Sequence, residues 1–195
     1  MYTPKKFDHL LGTPGFSDTL LKNHFTLYEG YVTNFNKLND LLVAMEKDES
    51  MGTPSYAELN RRLGWEFNGM RLHELYFENI GKSDSRLGEN GLKEQVIKEW
   101  ESIEAWEKDF RAMAAMRGIG WIIVYYDTYA KRLFNVWINE HDMGHLAGCV
   151  PLLVMDVFEH AYITDYGIKR TDYIESYMKA IDWSVVEQRY QDDSK

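Results

Sequence analysis

Pro151-Leu-Leu-Val-Met-Asp156-Val-Phe-Glu-His160-Ala-Tyr162 changes character half-way along. Its first five residues are apolar and read as a short buried strand. Asp156 ends that run, and His160 follows four residues later. A carboxylate and an imidazole at this spacing can converge on one metal ion, and the pair suits iron, manganese or zinc. A salt-bridged strand end is the alternative.

Upstream, Trp121 to Tyr126 and Leu133 to Ile138 are rich in β-branched and aromatic residues. Asp127 to Arg132 lies between them as the turn of an antiparallel hairpin. Further back the period is helical. From Phe16 to Met45 the positions Leu20, His24, Tyr28, Tyr31, Phe35, Leu38 and Leu42 keep one phase, and Ser17 is the expected N-cap. Lys47 to Pro54 reads as a turn, and a second helix runs from Tyr56 to Ile80, weakened at Gly64 and Gly69. Gly81 to Gly91 reads as a linker, Leu92 to Met116 as a third helix, and Lys169 to Arg189 as one or two closing helices. The expected fold is α+β: an N-terminal helical hairpin over residues 1–82, then an α/β part over residues 83–195.

The 195 residues carry a net charge of −9, with 45% hydrophobic and 27% charged residues. That balance excludes a disordered chain. An acidic chain without a basic stripe makes nucleic acid an unexpected partner. No apolar run reaches the roughly 18 residues of a membrane span, and no secretory signal is visible, so the expected compartment is cytoplasmic. One cysteine, Cys149, excludes an intramolecular disulfide framework and reads as buried and inert within its apolar run. No Glu-x-x-His pair and no His-Glu-x-x-His occurs, which argues against a di-iron bundle and the usual zinc protease helix.

The segment Val150 to Tyr190 resembles the signature of iron/manganese superoxide dismutases, in which Asp-x-Trp-Glu-His supplies two metal ligands. The likeness continues through Arg170-Thr-Asp-Tyr173, Asp182-Trp183 and Glu187-Gln-Arg-Tyr190. Upstream, Asn68-Gly69-Met-Arg-Leu-His73-Glu-Leu-Tyr-Phe77 is similar to the family's second-helix motif, and Gly118-Ile-Gly-Trp121 to its strand start. The resemblance implies a helical hairpin followed by an α/β part with a three-stranded antiparallel sheet. It also implies a mononuclear iron or manganese ion between the two, with a lean to iron. His73, Asp156 and His160 carry over directly as ligands.

The first ligand needs an argument. The family places a histidine eight residues before its gateway tyrosine, which Tyr31 matches; eight back here is Asn23 and seven back is His24. Seven residues turn about 700°, nearly two full turns, so His24 shares the face of Tyr31 and Asn23 lies about 100° off it. A spacing of eight would need a widened turn such as a π-bulge. The expected ligand set is therefore His24, His73, Asp156 and His160.

In the family a glutamine or histidine approaches the metal-bound solvent from one of two places. The first is Gly69 here; the second falls in Asn139-Glu140-His141-Asp142, so His141 is the expected residue and His145 the next candidate. Tyr31 and His141 are then the expected catalytic pair, with Trp121 and Phe77 as a dry shell and Arg170 as a cation offsetting the acidic charge. The implied reaction converts superoxide to oxygen and hydrogen peroxide. The resemblance further implies a homodimer through the Glu159-His160 region, with the family's gate pair replaced by Tyr28 and Ile163. A non-catalytic module on the same fold is the alternative.

Overall fold

Ser17 starts the first long element by capping it. In the computed structural model, which describes residues 1–82 and 85–194, α1 spans Asp18–Lys47 and the Ser17 hydroxyl accepts from the Leu20 amide at 3.0 Å. That bond satisfies one of the N–H groups a helix start leaves orphaned. α1 is α-helical throughout, with no widened turn. Its buried side chains include Leu20, His24, Tyr28, Val32, Phe35 and Leu38, one stripe at helical spacing.

α2 (Pro54–Glu78) is the second arm of the hairpin. Thr53 caps it, accepting from the Tyr56 amide at 3.2 Å. Pro54 occupies its first turn, where a missing N–H costs nothing, so Pro54 begins the helix and does not belong to the preceding turn. Gly64 and Gly69 leave α2 unbroken; each costs about 1 kcal/mol of propensity, which packing against α1 outweighs.

The expected single helix Leu92–Met116 is two, α3 (Gly91–Trp100) and α4 (Ile103–Ala114). Glu101 takes a left-handed conformation at φ 69°, and its amide closes α3 on the Ile97 carbonyl at 2.8 Å. Ser102 then caps α4 by accepting from the Ala105 amide at 3.0 Å. A helical period crosses this break because each half buries residues at helical spacing, Leu92 and Val96 in α3 and Trp106, Phe110 and Ala114 in α4. The described part of the expected linker Gly81–Gly91 is anchored: the Gly81 amide bonds the Ala180 carbonyl, and the Gly88 amide bonds Glu187. Residues 83 and 84 lie outside the described residues.

The sheet is antiparallel in the order β2-β1-β3, with β1 (Gly120–Asp127) central, β2 (Arg132–Asn139) and β3 (Cys149–Asp156). Trp121 pairs with Ile138 on one side and with Asp156 on the other. The β1–β3 register slips by one residue, because Val124 faces Leu153 while Tyr125 faces Pro151. Leu152 is thus the extra residue of a bulge, whose carbonyl leaves the ladder.

Asn79, fully buried just after α2, meets that defect. Its Nδ2 donates to the Leu152 carbonyl, and its Oδ1 accepts from the Val154 amide at 3.0 Å. Arg189, from the last helix α7 (Trp183–Asp193), donates to the same Leu152 carbonyl at 2.9 Å and to Glu78 at 2.7 Å. Hairpin, strand and C-terminal helix are therefore pinned together next to the strand that ends in Asp156. After β3 come a 3-10 turn (Glu159–Ala161), a short α5 (Ile163–Tyr166) and α6 (Arg170–Ala180). From α6, Tyr173 donates to the Asp156 carbonyl and Tyr177 to the Val154 carbonyl, each at 2.7 Å.

Asn79→Leu keeps the volume but strands the buried Val154 amide and takes one acceptor from the Arg189 guanidinium, which keeps Leu152 and Glu78. Denaturant unfolding is expected to show a loss of about 3 kcal/mol, the cost of leaving buried polar groups unpaired. A loss below about 0.5 kcal/mol, the range of a neutral surface change, would show that the bulge is held without Asn79.

Candidate metal centre

Asp156, the last residue of β3, has no solvent exposure. A bare carboxylate cannot be kept there without partners. Three imidazoles surround it. Nε2 of His24 from α1 lies 3.2 Å from Asp156 Oδ2, Nε2 of His160 from the 3-10 turn lies 3.1 Å away, and Nε2 of His73 from α2 lies 3.7 Å away. One donor atom from each of His24, His73, Asp156 and His160 lies within 4.8 Å of every other. The second carboxylate oxygen accepts from the Phe158 amide at 2.8 Å, which aims Oδ2 into the cluster.

The decisive atom is on His73. Its Nδ1 lies 2.5 Å from the Gly69 carbonyl, an acceptor only, so Nδ1 carries the proton. Nε2 is then a bare lone pair, and it is buried with no hydrogen-bond partner. Orphaned buried polar atoms are rare and call for an ion or a reacting group. Burial pushes His73 well below the ordinary histidine range, with neighbouring His24 adding to it, and burial likewise lowers His24 against the pull of Asp156. Burial would raise Asp156, but His160 and His24 outweigh it and hold the carboxyl well below the usual carboxylate range. Neutral rings at His24 and His73 beside an ionised carboxylate are protonation states that ligate a divalent or trivalent cation.

Asn23 is exposed and His24 is buried in the cluster, as the uninterrupted α1 requires. His160 is the partly open member, its side chain 29% exposed, so the cluster meets solvent on that side. Phe77 and Trp121 are fully buried, and Trp121 stands edge-on to His73 at 5.0 Å between ring centres.

Beside the cluster lies a directed hydrogen-bond chain. The Trp121 indole N–H donates to His141 Nδ1 at 3.0 Å, and an indole can only donate. His141 must then carry its own proton on Nε2, which lies 2.8 Å from the Tyr31 hydroxyl. Tyr31 accepts there and keeps its hydroxyl proton to give elsewhere. Its ring stacks on His73 at 5.1 Å. Burial pushes His141 down to about 4 and raises Tyr31 above its ordinary value, so both are neutral in mid-range pH. His141 is therefore not a surface loop residue; it is as buried as the cluster itself.

Other expected residues land differently. His145 does not reach Tyr31 but lies behind His141. Cys149 is only half-buried, being at the strand's outer end; burial and Asp127 both raise its thiol. Tyr28 is fully buried in the hairpin, donating to Glu74 at 2.9 Å. Arg170 packs its guanidinium near Trp137 and donates to the Gly118 carbonyl at 2.8 Å, with Nε and Nη2 enclosed and unpaired. The cation that acts on Tyr31 and His141 is Arg62, which lies 3.6 Å over Trp65 and pairs with Glu66 at 3.0 Å. Sequence reading missed it; the signal was Arg62 and Glu66 four apart on a helix, with Trp65 between them.

Gly69 is needed for space. A Cβ there would stand 2.5 Å from Cδ1 of Tyr31. A crystal structure of Gly69→Ala is expected to show Tyr31 displaced and its 2.8 Å contact with His141 opened beyond the roughly 3.5 Å limit of a hydrogen bond. An unchanged separation would show that the helix yields instead.

Residues 88–189 match the family model described as iron/manganese superoxide dismutases, C-terminal domain. Over 189 residues the chain is 32% identical to a protein named superoxide dismutase [Mn] 2 from Haloferax volcanii, covering 96% of this chain and 92% of the relative. It is 32% identical over 191 residues to superoxide dismutase [Fe] from Aquifex pyrophilus, covering 94% and 89%. It is 33% identical over 183 residues to superoxide dismutase [Fe] from Cupriavidus metallidurans, covering 90% and 89%.

Proposed function

The chain belongs to the iron/manganese superoxide dismutase family, and from that premise we propose that His24, His73, Asp156 and His160 hold one iron or manganese ion, with Tyr31 and His141 supplying protons beside it. It is a superoxide dismutase: two superoxide anions and two protons become one oxygen molecule and one hydrogen peroxide. The observation that carries the ligand assignment is the bare, buried Nε2 of His73, facing three further donors within 4.8 Å. Three imidazoles and one carboxylate suit either metal, and relatives bear both names.

The ion, when bound, would supply the one-electron exchange in which one superoxide gives up a single electron and the next receives it. The chain's own work is orientation, dryness and protons. Asp156 provides the single negative charge of the donor set, and Nδ1–H of His73 on Gly69 holds that ring in its ligating tautomer. Phe77, Trp121 and Phe158 keep bulk water from the rings, Phe158 stacking on His160 at 5.3 Å. Trp121 fixes the His141 tautomer, His141 donates to Tyr31, and the Tyr31 hydroxyl proton is left for the reduced substrate. Arg62 offsets part of the net charge of −9 where the anion arrives.

The ion sits where residues 1–82 meet residues 83–195. The active form is a homodimer through the Glu159-His160 region, supported by exposed Glu159 and Ile163 near the partly open ligand. The compartment is cytoplasmic, in keeping with the acidic charge and the single cysteine. No helix among the described residues is long and apolar enough to cross a membrane.

A substitution pair tests the first-helix ligand. His24→Ala is expected to lose most bound metal and turnover, while Asn23→Ala keeps both, read by metal analysis and a superoxide assay on one sample. The reverse pattern would mean that α1 widens on loading and presents Asn23.

His141→Ala tests the proton route. It is expected to keep metal but to lose about 10- to 100-fold in turnover, as removal of a ligand's outer partners typically does. Unchanged turnover with metal retained would make His141 a bystander.

A further inference from the structure

His141 sits on a loop, yet its ring has to meet Tyr31 and Trp121 at hydrogen-bond distance. The loop between β2 and β3 starts with a turn closed by Asn139 and Met143, whose amides and carbonyls pair at 3.0 and 3.3 Å. Glu140, within the turn, has a left-handed φ of 55°, a conformation that a residue with a side chain adopts at a cost and keeps only under constraint. The turn throws His141 inward, but the Asn139–Met143 pair alone leaves the main chain of His141 itself untied.

His145 ties it. Its Nε2 lies 2.7 Å from the His141 carbonyl. A carbonyl only accepts, so Nε2 carries the proton and donates. In the neutral ring Nδ1 is then an acceptor, and the Tyr125 hydroxyl stands 2.6 Å from it. Asn68 Nδ2 is 3.4 Å from the same Nε2, which already carries its proton, so that approach is packing and not a second bond. Tyr125 is buried on the central strand β1, opposite Pro151 next to the bulge. A continuous chain thus runs from β1 through Tyr125, the His145 ring and the His141 carbonyl to the His141 ring and Tyr31.

Resting on the proposed function, we infer that His145 is a positioning residue for dismutation: anchored to β1 by Tyr125, it grips the His141 main chain and so sets where the His141 ring meets Tyr31. None of its bonds reaches the four metal donors. Its effect on the reaction passes through His141 alone. Reacting constellations must be held within roughly 0.5 Å of their working geometry, and a ring whose Cα drifts cannot be held by contacts at its tip.

The test uses the metal-loaded full chain and four forms: parent, His145→Leu, His141→Ala and the double variant. His145→Leu is expected to keep its metal and to lose about tenfold in turnover, the low end for outer partners of a metal site. Amide hydrogen exchange in residues 139–145 should quicken by about tenfold while β1 is unchanged, since local opening is what the tether opposes. His145→Gln, whose side-chain amide donates from near the Nε2 position, should regain most of the turnover. On the His141→Ala background, His145→Leu should change turnover by less than about twofold, because residues that act through one another are not additive. Parent-like turnover and loop exchange in His145→Leu would overturn the proposal, as would an equal loss on both backgrounds, which marks a general structural role. If His145→Leu does not fold, Tyr125→Phe removes only the hydroxyl and is read the same way, with about a threefold loss expected for one neutral hydrogen bond. A parent without dismutase activity would sink the proposed function, and loop exchange on the same samples would still decide the tether.

Discussion

A carboxylate with no access to water, Asp156, sits at the end of a strand that touches both the hairpin and the C-terminal helices. Removing one partner of a buried ionic cluster costs about 3–5 kcal/mol, so its surroundings cannot be loosely made. The main chain of Asp156 is held by Tyr173 and by pairing with Trp121. Its Oδ1 is turned by the Phe158 amide, and the strand behind it is set by Asn79 filling the bulge at Leu152. Each constraint comes from a different element. The negative charge at the cluster is therefore a property of the assembled fold, and the three imidazoles take their positions relative to it.

Hydrogen-bond polarity organises what lies next to the cluster. Trp121 has one donor and no acceptor, and this asymmetry propagates: His141 must protonate Nε2, and Tyr31 must accept from it. The same logic fixes His73, where Gly69 offers only a carbonyl, and His145, where His141 offers only a carbonyl. None of these histidines needs to change charge to do its work. Burial keeps His141 neutral down to about pH 4. Gly69 serves twice, its carbonyl accepting from His73 Nδ1–H and its missing side chain leaving the space that the Tyr31 ring fills.

Charge on the whole molecule works against an anionic substrate, since the chain carries −9. At physiological ionic strength exposed charges beyond roughly 8 Å are largely screened. The cation that bears on Tyr31 and His141 is Arg62. Arg62 is held over Trp65 and against Glu66, whose Oε2 is buried without a partner. Its stem and stacking keep the charge near Tyr31 and His141 instead of letting it swing into solvent. Arg170, expected in that role, is turned toward Gly118 and Trp137.

Local periodicity carried much of this in the sequence. The alternation and composition of the strands, the stripe along α1, and the four-residue step from Asp156 to His160 are legible because each depends on neighbours within a few residues. The choice of His24 over Asn23 belongs with them: seven residues make nearly two turns of any regular helix. Compensated breaks were less legible, such as Glu101 between α3 and α4 and Pro54 at the start of α2, because the period passes through them. The convergence itself was decided elsewhere. His24 and Asp156 are 132 residues apart, and His141 and Tyr31 are 110 apart. Sequence alone determined which residues could ligate and on which face each stands. Only the tertiary structure decided that they meet, which way His141 turns, and that His145 and Arg62 stand beside it, because these contacts come from packing sheet against hairpin and not from any local repeat.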